Sequence, residues 1–413
     1  MLKRTIPALF LLIAFCAFAQ EANPYAPVLK LPEVVYAAPE VECNIYYANV
    51  FSSVAPQNYA YVVKCAVGKQ ENHRWTWFPQ PADAGKSFDL TMEIFSDAGR
   101  VASAKCKIQV AANAKNPERK FTLALLAAST VNSGYPQYLM ELMHSRGFKN
   151  YTPVGTYAGI GEPLEPGKAA CDGYGGWGWH TFLHQWSYST SEYQNIQDEA
   201  EKAQMKLLGV ADVKRNNEYR LRSPLLKAEK GKVVVDIQGW FNRINNGKAP
   251  DFILIDLGYN DVFSCTEEKL APTLERDVLP QMKRMVAELR KAAPNATIGI
   301  TVPPLGSGSQ DAFGNNYGCK QSKFQYWRNE RAYGALVLRF VAELNDPEIF
   351  AIPCNHCIDP EGSYPARQVP IHSRTGEKVV RQSNALHFNA AGGRQMADAL
   401  YAWLRSQMER KNY

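Results

Sequence analysis

Phe121-Thr122-Leu123-Ala124-Leu125-Leu126-Ala127-Ala128-Ser129-Thr130 is the stretch that decides the fold. From Phe121 to Ala128 it carries no charge and no turn former, and its length is that of a strand. A strand with one wet face alternates apolar and polar residues, whereas an unbroken apolar run is what a strand buried on both faces requires. After it come the turn residues Ser129 to Gly134 and a helical stretch, Gln137 to Ser145, with Leu139, Met140 and Met143 on one face. The pattern recurs: Phe252 to Leu257 and Ala296 to Val302 are further apolar runs. Long amphipathic segments, Leu270 to Ala293, Lys323 to Leu344 and Ala390 to Met408, stand between and after them. Such alternation predicts a parallel sheet covered on both sides, an α/β/α sandwich over residues 118–413. Ser187 to Leu226 is polar and weakly periodic, and reads as an insertion on that scaffold.

Upstream the pattern is different. Asn44 to Tyr47, Tyr59 to Ala66, Ser87 to Phe95 and Ala102 to Val110 are short β-type runs, and Phe88 to Ile94 alternates with period two. Turn residues such as Asp97-Ala98-Gly99-Arg100 separate them. Residues 20–115 are therefore expected to form a small all-β, immunoglobulin-like antiparallel sandwich, joined by the polar segment Ala111 to Lys120. Trp75 and Trp77 fit its core, with sugar stacking as the alternative. Residues 1–19 read as a secretory signal: Lys3 and Arg4 lead an apolar run that ends in Ala17-Phe18-Ala19, an A-x-A cleavage site. The mature chain would start at Gln20, be secreted or periplasmic, and keep 394 of the 413 residues. No later stretch has the roughly 20 consecutive apolar residues of a membrane helix.

Composition excludes classes without selecting one. Forty-six Lys+Arg against 40 Asp+Glu is too dilute a positive balance to argue for nucleic acid or an anionic membrane. With 46% hydrophobic and 21% charged residues, the chain is a folded globular one. Past the signal lie eight cysteines, Cys43, Cys65, Cys106, Cys171, Cys265, Cys319, Cys354 and Cys357. An even number in an exported protein favours disulfides, with buried free thiols the alternative. Cys354-Asn355-His356-Cys357 has no second C-x-x-C and so makes a poor zinc site.

In an open parallel sheet, ligands gather at the carboxyl ends of the strands. Ser129 follows the first apolar run, Gly258-Tyr259-Asn260-Asp261 follows the second, and His387 precedes the last helix. A serine with a distant histidine is the minimum for nucleophilic acyl transfer, because the hydroxyl attacks only when a base removes its proton.

The ordered set Ser129, Gly176, Asn260 and His387, with Gly-x-Asn-Asp on the third element and Asn-x-x-His beside the final helix, resembles the four signature blocks of the SGNH (GDSL-like) hydrolases. Within that superfamily the chain is most similar to extracellular carbohydrate O-acetyl esterases. The resemblance implies a flavodoxin-like α/β/α fold and no cofactor or metal. It makes Ser129 the nucleophile, His387 the general base, and the Ser129 N–H, the Gly176 N–H and the Asn260 amide the oxyanion donors. The implied substrate is an acetylated polysaccharide or oligosaccharide. Tyr174, Trp177 and Tyr259, near the proposed donors, and Phe313 and Tyr317, in the loop Gly306 to Gly318, are the expected substrate-contacting rings. Two departures stand out. Ala127-Ala128-Ser129 replaces the family's Gly-Asp-Ser, and Asn384 occupies the place of the acid that would orient His387. A Ser-His dyad assisted by a neutral acceptor, the Asn384 amide oxygen, or by a backbone carbonyl is the expectation. The alternatives are a lipid or small-ester esterase and a catalytically impaired glycan-binding protein.

Other constellations fall away. His180 and His184 have the spacing of a metal pair but lack the glutamate of a zincin, and neither a G-x-S-x-G elbow nor a Walker loop is present.

Overall fold

Strands form where the apolar runs predict them. In the computed structural model, which describes residues 26–412, Phe121–Ala127, Phe252–Asp256 and Thr297–Val302 lie side by side and parallel. Two further parallel strands complete this sheet, Tyr151–Val154 beyond the first and Ile349–Pro353 beyond the last. The two-residue strand Asp172–Gly173 extends the end of Phe121–Ala127 through Leu126 and Ala127. Alternate residues of one strand serve opposite faces. Leu123 and Leu125 pack with the helices Tyr135–Ser145 and Ala390–Arg410, whereas Ala124 and Leu126 pack with Ile237–Asn245, Leu279–Ala292 and Lys323–Leu344. Burial on both faces is why these strands are continuously apolar. The result is a mixed α/β structure built on a parallel sheet with helices on each side.

The chain runs from the Phe121 strand to its neighbour at 151 and then returns to the other side at 252. This reversal is a topological switch point, and the carboxyl ends of the strands flanking it open a crevice. Ser129 and Gly258 to Asp261 sit at those ends.

The segment expected as one helix over Leu270 to Ala293 is built from Glu267–Pro272, a π-helical stretch Thr273–Val278, and Leu279–Ala292. Pro272 lies inside it; proline removes a backbone donor, and widened turns are one way a helix absorbs that loss. The expected loop Gly306 to Gly318 contains a helix, Gln310–Tyr317, started by the Ser309 hydroxyl, which accepts the Asp311 N–H at 3.1 Å.

Toward the N-terminus, Val34–Ala37, Gly99–Val110, Ser87–Ser96 and Ala60–Cys65 form a four-stranded sheet, and Cys43–Tyr46, Arg74–Trp77 and Lys69–Gln70 a three-stranded one. Both contribute to a core around Ile45, Trp75, Met92 and Ile108. Pairing is antiparallel except at Val34–Ala37, which runs parallel to Lys107–Val110, so an all-antiparallel sandwich is not what forms. This part is joined to the α/β part by buried polar contacts. Asn49 donates to the Ile358 carbonyl at 2.7 Å, Tyr46 N–H to the His356 carbonyl at 3.0 Å, and His356 Nδ1 to the Asn44 carbonyl at 2.8 Å.

The eight cysteines among the described residues are all unpaired, which corrects the disulfide expectation. Five of them are buried and act as small apolar side chains, with burial pushing the thiols of Cys43, Cys106 and Cys171 up to about 12. Among the described residues no helix is long and apolar enough to cross a membrane. The signal read in residues 1–19 lies outside the described residues.

Candidate functional site

Ser129 opens a tight turn, Ser129–Ser133, immediately past the strand. His387 stands three residues before the helix Ala390–Arg410, whose N-cap Asn389 accepts the Ala391 and Gly392 N–H groups. The two meet: His387 Nε2 lies 2.9 Å from Ser129 Oγ across 258 residues of chain. Burial holds the His387 imidazole below its usual pKa, so it is neutral at pH 7.

The imidazole is oriented by Asn384, though not as a catalytic acid would orient it. Asn384 Oδ1 accepts the backbone N–H groups of Leu386 at 3.0 Å and His387 at 2.9 Å. Those two donors fix the amide orientation, leaving Nδ2 to face His387 Nδ1 at 3.4 Å. A donor there favours the tautomer with an unprotonated Nδ1 and a proton on Nε2, the nitrogen that must be bare to take the serine proton. The expectation that the Asn384 oxygen would assist the ring is thereby corrected: that oxygen is committed to the backbone.

The proposed oxyanion residues converge from two neighbouring strand ends. Tyr174 N–H donates to the Ala127 carbonyl at 3.0 Å, so residues 172–174 follow the Phe121–Ala127 strand to its end and set the Gly175-Gly176 turn beyond it. Gly176 is exposed with φ +79°, a left-handed conformation natural to glycine. Asn260 Nδ2 donates to the Trp177 carbonyl at 2.8 Å, which ties the Gly-x-Asn-Asp turn to the glycine turn and uses one of its two hydrogens. Gly258, at φ +110°, is also required sterically, because a Cβ there would lie 2.1 Å from the Tyr333 ring.

Beneath these turns is a residue that the sequence analysis missed. Asp256 ends the Phe252 strand, is fully buried, and accepts four hydroxyls: Thr130 at 2.7 Å, Tyr135 at 2.8 Å, Tyr259 at 3.0 Å and Thr301 at 2.7 Å. It therefore clamps the residue after Ser129 to the residue before Asn260. An acid closing an otherwise apolar buried run was the available signal, since a buried carboxylate must find donors. Asp261 accepts the Trp179 N–H at the start of the helix Trp179–His184, and burial pushes its carboxyl up to about 6.

The expected substrate-contacting rings are mostly inside. Tyr174 and Trp177 are 2% and 3% exposed and stack on each other at 4.1 Å. Tyr259 is spent on Asp256, and Phe313 is fully buried against Tyr326. Burying these large rings is favoured by the apolar area they remove from water, so the expectation that these four contact substrate is corrected. Tyr317 is half-buried and packs edge-on against Phe263. The loop carrying it serves the histidine: Asn315 and Asn316 donate to the Ser383 carbonyl, and Asn316 Oδ1 accepts the Ala385 N–H at 2.8 Å. His180 and His184 stack at 4.3 Å, but among the described residues no group of three or more His, Cys, Asp or Glu side chains is placed to hold a metal ion.

No family model matches the sequence, and no curated protein does. Solved structures similar to it in part include a candidate platelet activating factor from Streptococcus pneumonia. That protein is 13% identical, with 69% of this chain and 85% of that one covered at a TM-score of 0.34. A candidate GDSL-like lipase from Parabacteroides merdae ATCC 43184 is 10% identical, with 72% and 100% covered at a TM-score of 0.33. At such scores the likeness assigns neither family nor activity, and the site stands on its own geometry.

Proposed function

We propose that the chain is a serine-dependent carboxylic ester hydrolase. The observation that carries this reading is the 2.9 Å contact between Ser129 Oγ and His387 Nε2 at the switch point of a parallel sheet. In the reaction Ser129 Oγ attacks the ester carbonyl carbon while its proton passes to Nε2 of His387, in the less populated tautomer that carries the ring proton on Nδ1. The tetrahedral oxyanion is held by the N–H groups of Ser129 and Gly176 and the remaining Asn260 amide hydrogen. His387 returns the proton to the leaving alcohol, and water then releases the acid from the acyl-serine.

For the substrate we keep the O-acetyl group of an exported enzyme's polysaccharide or oligosaccharide, on the sequence resemblance to carbohydrate acetylesterases. Ring stacking does not support it, because the rings proposed for it are buried. The orientation of Asn384 favours one second reading, a site that binds its ester and turns it over slowly or not at all.

Hydrolysis of p-nitrophenyl acetate, p-nitrophenyl esters of longer acids and acetylated glycans by the wild type and Ser129→Ala tests both. Turnover abolished in the variant is expected. Turnover unchanged in it would overturn the nucleophile assignment, and glycan binding without turnover by either protein would establish the second reading.

A further inference from the structure

Away from the proposed active site, a cavity of about 550 Å³ lies between the N-terminal β part and the outer face of the helix Lys323–Leu344. Its walls come from residues 26–32, 49–56, 302–305 and 323–338, with Glu267, Pro353 and Asn355, and none of Ser129, Gly176, Asn260 or His387 reaches it. The volume is within the roughly 300–1,000 Å³ usual for small-molecule sites. Apolar side chains predominate on the walls. Four of the large hydrophobic side chains that the fold leaves exposed, Val28, Val54, Phe324 and Leu338, gather here rather than being scattered singly.

The charges of this cavity are unbalanced. Lys30, Lys323, Arg328 and Arg331 line it, against Glu267 and Glu330. Glu267 is already paired with Arg328 at 3.2 Å. Glu330 is 1% exposed, and burial pushes its carboxyl up to about 8, which leaves it neutral at pH 7. Arg331 is therefore without a carboxylate partner among the described residues. Only its Nη2 is engaged, donating to the carbonyls of Ala48 at 2.8 Å and Phe51 at 3.4 Å. Its Nε and Nη1 hydrogens, which point to different sides of the guanidinium, meet no acceptor among the described residues. Burial lowers its pKa to about 10. Lys323 and Arg331 both lie 5.2 Å from the Trp327 ring, and their mutual repulsion adds to the burial that lowers the Lys323 pKa. A desolvated cation without an anion is costly, and a carboxylate oxygen can accept a charge-assisted hydrogen bond from one of the open donors.

We infer that this cavity binds an amphipathic monocarboxylate of the fatty-acid class, its carboxylate on Arg331 beside Trp327 and its hydrocarbon tail along the apolar wall formed by the 323–338 helix face and residues 28–32. The site is separate from the ester-hydrolysing reading and does not depend on it.

Sodium dodecanoate, below its micelle concentration at pH 7, is titrated into the full chain by calorimetry and by tryptophan fluorescence. Dodecanol shares the tail and acetate shares the head. Saturable dodecanoate binding is expected, at least about tenfold tighter than dodecanol, with acetate silent, since a charged hydrogen-bonded head contributes at that level. Arg331→Gln should weaken dodecanoate at least about tenfold and bring it to the affinity of dodecanol. Because Arg331 also holds two backbone carbonyls, Ala335→Trp is the second variant: it fills the cavity with Arg331 intact, and a thermal melt reports whether the fold persists. Loss of dodecanoate binding in folded Ala335→Trp supports the assignment. No saturable binding by the wild type, equal binding of dodecanol, or full dodecanoate binding by Ala335→Trp overturns it.

Discussion

Asn384→Asp should convert a handicapped dyad into a triad. In the wild type the Oδ1 atom of Asn384 accepts two backbone N–H groups at 3.0 and 2.9 Å while Nδ2 faces His387 Nδ1 at 3.4 Å. An aspartate in the same rotamer keeps both backbone bonds through one oxygen and turns its second oxygen toward Nδ1. That oxygen only accepts, so the proton moves to Nδ1 and Nε2 is bare where it meets Ser129 Oγ at 2.9 Å. The reverse change in a serine protease, Asp to Asn, costs about 10⁴ in kcat through the wrong tautomer. General-base catalysis is typically worth about 10² to 10⁴. Asn384→Asp should therefore raise kcat for p-nitrophenyl acetate by about 10² to 10⁴, a barrier change of about 3 to 5 kcal/mol.

The same substitution should shift the pH profile. His387 is held below its usual pKa by burial alone, so wild-type activity should reach its plateau at a pH below that of an ordinary histidine. A carboxylate at position 384 favours the imidazolium, so the acid limb of the variant's profile should move to higher pH. The nitrogen-15 shifts of the His387 ring report the tautomer directly, with Nε2–H expected in the wild type and Nδ1–H in the variant. A wild type already in the Nδ1–H form, or a folded variant whose kcat is unchanged, would refute the argument that the Asn384 amide misorients the base.

Two further substitutions test other parts of the structure. Asn260→Ala removes one proposed oxyanion donor and should lower kcat by about 10² to 10³ with little change in KM, measured on the same ester; an equal rise in KM with kcat intact would assign Asn260 to ground-state binding instead. His356, buried between the two parts of the chain, has its pKa lowered to about 4 by burial, against 6.5 for an ordinary histidine. The unfolded chain therefore binds the extra proton between pH 6.5 and 4, so this group's contribution is complete above pH 6.5 and is lost as the pH falls toward 4, by about 3 kcal/mol. His356→Asn, which retains a donor for the Asn44 carbonyl, should flatten the urea-unfolding stability over that range relative to wild type, and parallel curves for the two proteins would exclude His356 as the sensor.

The central strands were legible because burial on both faces leaves a mark in one dimension: Phe121, Phe252 and Ala296 each begin runs with no polar alternation. The outer strands were harder to read. Tyr151-Thr152-Pro153-Val154 is short, proline-bearing and paired on one side only, so neither apolar continuity nor a clean period two is imposed on it, whereas Ile349–Pro353 is apolar throughout but too brief, with proline at its end, to stand out as a strand. Ser129 and His387 were legible for a related reason, since each occupies a position that the α/β architecture directs to the crevice. Asp256 carried no comparable mark, because it is the last residue of the strand itself rather than one in the turn beyond it.

The aromatic rings were misplaced by a more general limit, one that also explains why the site's chemistry is polar. Spacing shows that Tyr174 and Trp177 flank Gly175-Gly176, but not which way they point. Where the exposed turn takes a left-handed φ at Gly176, the flanking rings fold back and stack under it, next to Phe182. That packing holds the turn: with both rings locked, the Trp177 carbonyl is fixed to receive Asn260, and Gly176 stays at the exposed tip. A donor useful to an oxyanion has to be held in place before charge develops, because reorganising it during the reaction would forfeit the stabilisation. In the proposed reaction, buried rings under an exposed glycine supply that preorganisation, so the cluster serves as a foundation for the turn rather than as a sugar-binding surface.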